Sequence, residues 1–163
     1  MDTNNLSTWL DASIGAFYDF GVQNFFIEEH SEPQINYINL LNEISDLNGS
    51  SIELNMDGKK INVFFLSQQE TLDYIANRIL CNDENERLDE ADVVDAIKEL
   101  TNIIAGGVKN RLSAEVEGEI LLGLPSYIDK YFINEDQLVY TLGHFNFDNR
   151  DIYILIEKIS LLN

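Results

Sequence analysis

Apolar residues fall at three- and four-residue intervals from Leu6 through Trp9, Leu10, Ile14 and Phe17. That spacing lines one face of an α-helix and predicts a first helix ending near Gly21. The pattern then changes. Ser51–Met56 and Lys60–Leu66 alternate or run apolar around Asp57-Gly58, a dipeptide that supplies the positive φ angles of a tight turn, so two antiparallel strands are expected. A second helix is expected over 68–81, and the charged stretch Asn82 to Glu90 reads as a solvated loop. Asp89 is placed to cap a third helix, with Glu90 and Asp92 in its first turn complementing the dipole. Apolar periodicity then continues to Leu112. Strand-like runs follow at Glu117–Leu124, Gln137–Phe147 and Asp151–Ile159, the last two joined by a turn near Asp148-Asn149. After an acidic loop at Glu28 to Glu32, the run INYINLLNEI (35–44) fits a strand or a short helix, and pattern does not decide between them.

A long helix followed by strands and a short helix, then another long helix followed by strands, reads as two similar halves. The expectation is a single α+β domain over 1–163, with pseudo-repeat halves of roughly 1–85 and 86–163. A mainly antiparallel sheet would pack against two long pseudo-symmetric helices and a shorter one. The halves share little sequence identity, so the repeat rests on element order.

Length and charge narrow the function. At 163 residues one domain can bury about two-thirds of the surface its unfolded chain exposes. Lys and Arg number 10 against 29 Asp and Glu, a formal net charge of −19. Such a surface repels phosphate backbones and anionic lipid, which argues against nucleic-acid and membrane-surface roles. The N-terminal MDTNNLSTWLDASIGAF has acids and no basic n-region, and no apolar run reaches 18 residues, so a cytoplasmic protein is expected. One cysteine, Cys81, excludes an internal disulfide or a cysteine-rich zinc site, and it reads as a buried structural thiol.

The chemistry-bearing stretch is DAIKELTNIIAGG, residues 95–107. At about 100° per residue, Val93, Ile97, Leu100, Ile104 and Val108 form the packing stripe, with Ala96, Ile103 and Gly107 along its edge. Asp92, Asp95, Glu99, Asn102 and Gly106 share an opposite arc of roughly 80°. Acids on such an arc are often only solvated. Gly106, however, weakens the helix by about 1 kcal/mol relative to alanine at a place where no core contact needs a missing side chain. An exposed glycine beside an amide leaves room for another molecule to approach. Glu99 and Asn102 are neighbours at i, i+3, a negative charge beside an amide that can donate and accept at once. That pair suits docking and positioning rather than covalent catalysis.

These residues resemble the CheC/CheX-type phosphatases of bacterial chemotaxis. The family motif is Asp or Ser, three residues, Glu, two residues, Asn, 22 residues, then Pro. Here it reads Asp95-AIK-Glu99-LT-Asn102, with 22 residues before Pro125. NIIAGG and EILLGLP also look like the family. The resemblance implies a CheC-like fold and hydrolysis of the aspartyl phosphate on a CheY-like response regulator. The regulator would supply the phosphate, its Mg²⁺ and a lysine, so this chain would bind no cofactor of its own. Glu99 would pair with that lysine and Asn102 would align the attacking water. Asp95 and Gly106 would lie at the contact, and Pro125 would be structural. Some members repeat the motif on the first helix; here that stretch is Asp11-ASI-Gly15-AF-Tyr18, without the glutamate or the asparagine. One site per chain points to the CheX type, whose members are commonly dimers joined through their sheets.

No other catalytic set competes. His30 and His144 are far apart, and Glu28-Glu29-His30 lacks helical metal-pair spacing. His144, in a strand-like run, reads as packed or on the surface. The rival reading is a binding module that docks a regulator without hydrolysing its phosphate. Keeping both Glu99 and Asn102 favours the enzyme, because docking alone does not require the amide.

Overall fold

In the computed structural model, which describes residues 5–23, 36–37, 46–80, 87–114, 118–131, 139–147 and 149–158, the first apolar stripe forms helix α1 (Leu6–Gln23). It buries Trp9, Leu10, Ile14 and Phe17 and runs two residues past Gly21. Strand β1 is the pair Asn36–Tyr37. Strands β2 (Asn48–Met56) and β3 (Lys59–Ser67) make the expected hairpin. Its turn takes φ of 52° at Asp57 and 82° at Gly58, the left-handed geometry of a two-residue loop. Helices α2 (Gln69–Ile79) and α3 (Glu90–Leu112) follow. Glu28–Glu32 with His30, Cys81 and Asp148 lie outside the described residues.

The run expected at 117–124 is a shorter strand, β4 (Ile120–Leu122), and a further strand, β5 (Ser126–Ile128), follows it. Both pair with β2. Leu54 faces Leu122 and Ser51 faces Ser126, so two β2 residues stand opposite three, Gly123, Leu124 and Pro125. This is a bulge on an edge strand. Pro125, which has no N–H to give a ladder, occupies a place where proline is tolerated. Strands β6 (Val139–Phe147) and β7 (Arg150–Lys158) close the chain as a second hairpin, with Asn149 at φ 58° in its turn.

All pairings are antiparallel, in the order β1-β6-β7-β3-β2-β4, with β5 also on β2. The two hairpins lie side by side through β3 and β7. The order exchanges partners between the ends of the chain: β1 borders the C-terminal hairpin and β4 the N-terminal one. The long helices follow the same rule, with α1 over β6 and β7 and α3 over β2.

Alternation sorts the core. Ile61, Val63 and Phe65 on β3 and Ile152, Ile154 and Ile156 on β7 face the helices, while Phe64, Leu66 and Leu155 enter a smaller cluster on the other face. β3 is therefore apolar on both sides, which explains its continuous VFFL run. Phe17 from α1 meets Phe65 at 5.1 Å between ring centroids; removing such a ring costs roughly 3–5 kcal/mol. Among the described residues, no helix is long and apolar enough to cross a membrane.

Candidate functional site

Helix α3 is anchored at both ends by local chemistry. The Asp89 carboxylate accepts a hydrogen bond from the Asp92 backbone N–H at 2.8 Å, and acids occupy the first turn and Lys109 and Arg111 the last, each favourable to the helix dipole. In between, Val93, Ile97, Leu100, Ile104 and Val108 are all buried. The buried Thr101 hydroxyl donates to the Ile97 carbonyl at 3.0 Å, so no polar group beneath the exposed face is left unsatisfied there. The result is a capped, well-packed support.

On the outer arc Asp92, Asp95 and Glu99 are exposed, and Asn102 and Gly106 are half-buried. The structure thus brings Asp95, Glu99, Asn102 and Gly106 onto one face. Asp95 is paired with Lys98 at 3.6 Å while its side chain remains 80% exposed, an ion pair that contributes little. Among the described residues, neither the Glu99 carboxylate nor the Asn102 amide has an intramolecular hydrogen-bond or ion-pair partner. Both groups are available to a visitor. Pro125 lies apart from them in the β4–β5 bulge, on strands that approach α3.

The adjacent glycines do different things. A methyl group added at Gly107 would come within 2.6 Å of the Ala16 Cβ, so this glycine lets α1 and α3 touch. Among the described residues, a methyl group at Gly106 would meet nothing within 4 Å. The space there is open to solvent, one turn beyond Asn102.

The counterpart stretch on α1 is closed. A Cβ at Gly15 would lie 2.9 Å from the Arg111 guanidinium carbon, and that guanidinium donates to the Asp19 carboxylate. Tyr18 packs against the core. Sequence reading missed Arg111, because its partner is 92 residues away and only the helix contact brings them together. Arg111 also borders a cleft of about 530 Å³ between α1 and α3 that reaches Gly106.

Away from α3, His144 Nε2 lies 2.8 Å from Asp151 Oδ1, which also accepts from the Asn146 amide at 3.0 Å. The Asn146 and His144 contacts hold the Asp151 carboxyl below its usual range. His144 stacks on Tyr153 at 4.8 Å, a packed role. Among the described residues, no group of three or more His, Cys, Asp or Glu side chains could hold a metal ion.

Solved structures share this architecture. A CheC-like superfamily protein from Shewanella sp. PV-4 superposes with a TM-score of 0.70 at 20% identity, over 98% of this chain and 100% of that one. The chemotaxis protein CheX from Desulfovibrio desulfuricans gives 0.70 at 15% identity, over 93% and 99%. A CheX–CheY–BeF3–Mg²⁺ complex from Borrelia burgdorferi gives 0.63 at 18% identity, over 93% and 98%. At such identities the likeness carries the fold. No curated protein matches the sequence. The family model for the chemotaxis phosphatase CheX matches residues 49–136, more than half of the chain and all of α3 through Pro125, and the chain belongs to that family.

Proposed function

We propose that this protein accelerates hydrolysis of the aspartyl phosphate on a CheY-like response regulator. The observation that carries the reading is the pair of exposed Glu99 and half-buried Asn102, uncommitted to any partner among the described residues and flanked by open space at Gly106. Asn102 accepts a hydrogen bond from the attacking water through its carbonyl oxygen while its NH₂ donates to a phosphoryl oxygen. The water oxygen bonds to phosphorus as the bond to the aspartyl oxygen breaks, giving inorganic phosphate and a free carboxylate. That leaving group has an ordinary pKa of about 3.9, so it departs without a general acid. An amide that itself neither takes nor gives the proton is sufficient, because positioning carries most of such a transfer. Glu99 pairs with the regulator's lysine and fixes the approach. Asp95 and Gly106 lie at the contact, and Pro125 shapes the strand edge. Mg²⁺ belongs to the regulator and neutralises charge at the phosphoryl group.

Likeness in fold to the CheX of the Borrelia burgdorferi complex supports a CheY-like partner. A homodimer is the expected assembly, and the β4 edge supports it. Residues 120–126 carry no charge in a chain of net −19, and Leu121, Leu122 and Leu124 are exposed, Leu124 by 90%. Edge strands are usually protected by charge.

The test is the decay of phosphate from a panel of CheY-type receivers with and without this protein. Acceleration of at least one receiver is expected. Binding to a phosphorylated receiver with no acceleration of any would replace the phosphatase by the binding module.

A further inference from the structure

We infer that the cleft between α1 and α3 receives an uncharged loop of the phosphorylated receiver, and that Gln23 and Asn110 at its rim set which receiver is accepted. This rests on the phosphatase reading above and adds a second recognition element to it.

The cleft continues the site. Asn102, Gly106 and Asn110 stand on consecutive turns of α3, each about 5–6 Å from the next. A partner that reaches Glu99 and Asn102 therefore overlies Gly106 and the cleft mouth. Among the described residues Gly106 has no packing reason to lack a side chain, since a methyl group there meets nothing within 4 Å. An external occupant supplies the reason.

The lining states the chemistry of that occupant. Phe20 and Ile103 give apolar lining, and the Gln23 and Asn110 amides add groups that can each donate to and accept from a peptide backbone. In the same lining Arg111 and Asp19 neutralise each other. Among the described residues the lining is thus neutral in sum on a chain of net −19, which favours a loop with one aliphatic or aromatic side chain over a charged one. Its shape is held, because Gly107 and Ala16 keep the two helices in contact. Helix α1, whose own motif stretch is closed by Arg111, would serve as the second wall.

The test uses Gln23→Trp, which fills the cleft, and Asn110→Glu, which puts a charge at its rim. Both positions are exposed, and neither side chain belongs to the Glu99 and Asn102 pair. Affinity is measured for a beryllofluoride-loaded, Mg²⁺-bound CheY-type receiver, the one that the wild-type protein dephosphorylates fastest. KM and kcat are measured with its phosphorylated form. The expected result is a rise of roughly tenfold or more in Kd and KM for each variant, with kcat changed less than twofold. Kd and KM within twofold of wild type in both variants would overturn the cleft proposal and leave the phosphatase reading intact. A loss of kcat at unchanged KM would also overturn it. If the wild-type protein neither binds nor dephosphorylates any receiver, both readings fall together.

Discussion

In the proposed mechanism Glu99 and Asn102 divide the work by what each side chain can do, a carboxylate for a cation and an amide for water. Glu99→Ala is expected to weaken binding to a phosphorylated receiver roughly tenfold at low salt, about 1.4 kcal/mol. The deficit should shrink at high salt, as the screening length falls from about 10 Å at 0.1 M to about 3 Å at 1 M. Titration at two ionic strengths checks this, and an unchanged affinity would remove the lysine contact. A second residue-scale prediction concerns Asp151, held below its ordinary pKa by Asn146 and His144. A depressed carboxyl contributes stability that is present above its unfolded value, near 3.8, and lost as pH falls through the folded one. Asn146→Ala should therefore raise the Asp151 pKa, seen by NMR titration, and flatten the loss of stability with acid. The motif residues were legible in the sequence because they sit on one helix at fixed spacing, with Pro125 one strand beyond. Arg111 over Gly15 was not, since nothing local to either position announces a contact between helices.

Helix α3 shows how an element can be weakened at two adjacent positions for two reasons. Gly106→Ala should stabilise the fold by up to about 1 kcal/mol from helix propensity and weaken receiver binding. Gly107→Val should destabilise it by roughly 1–3 kcal/mol through overpacking against Ala16. Chemical denaturation of both variants reads the opposite signs. The stripe and cap of α3, the Asp57-Gly58 hairpin and the buried face of α1 could all be read from periodicity, because each is a local pattern. β5 could not. The bulge at 123–125 resets the register after β4, and a three-residue strand beside a proline leaves no alternation to detect.

The whole molecule is ordered by pairings between distant segments. The β3 and β7 contact joins residues as far apart as Ile61 and Lys158, and no hydrophobic pattern specifies which strand lies beside which. The α+β class followed from element order and the antiparallel hairpins from their turns, whereas the exchange of β1 and β4 between hairpins required the structure. The β4 edge, which ends the sheet among the described residues, carries the assembly prediction. The double variant Leu121→Lys, Leu124→Lys should shift sedimentation from dimer to monomer, and a wild-type protein that is monomeric at all concentrations would contradict it. The phosphatase assignment is tested most directly by single-turnover decay of a phosphorylated CheY-type receiver saturated with wild-type or Asn102→Ala protein. Wild-type protein should accelerate decay, and Asn102→Ala should bind yet leave the receiver near its intrinsic rate, a loss of at least roughly tenfold and so above about 1.4 kcal/mol of barrier. Equal decay with the two proteins would contradict the assignment of Asn102 to the attacking water.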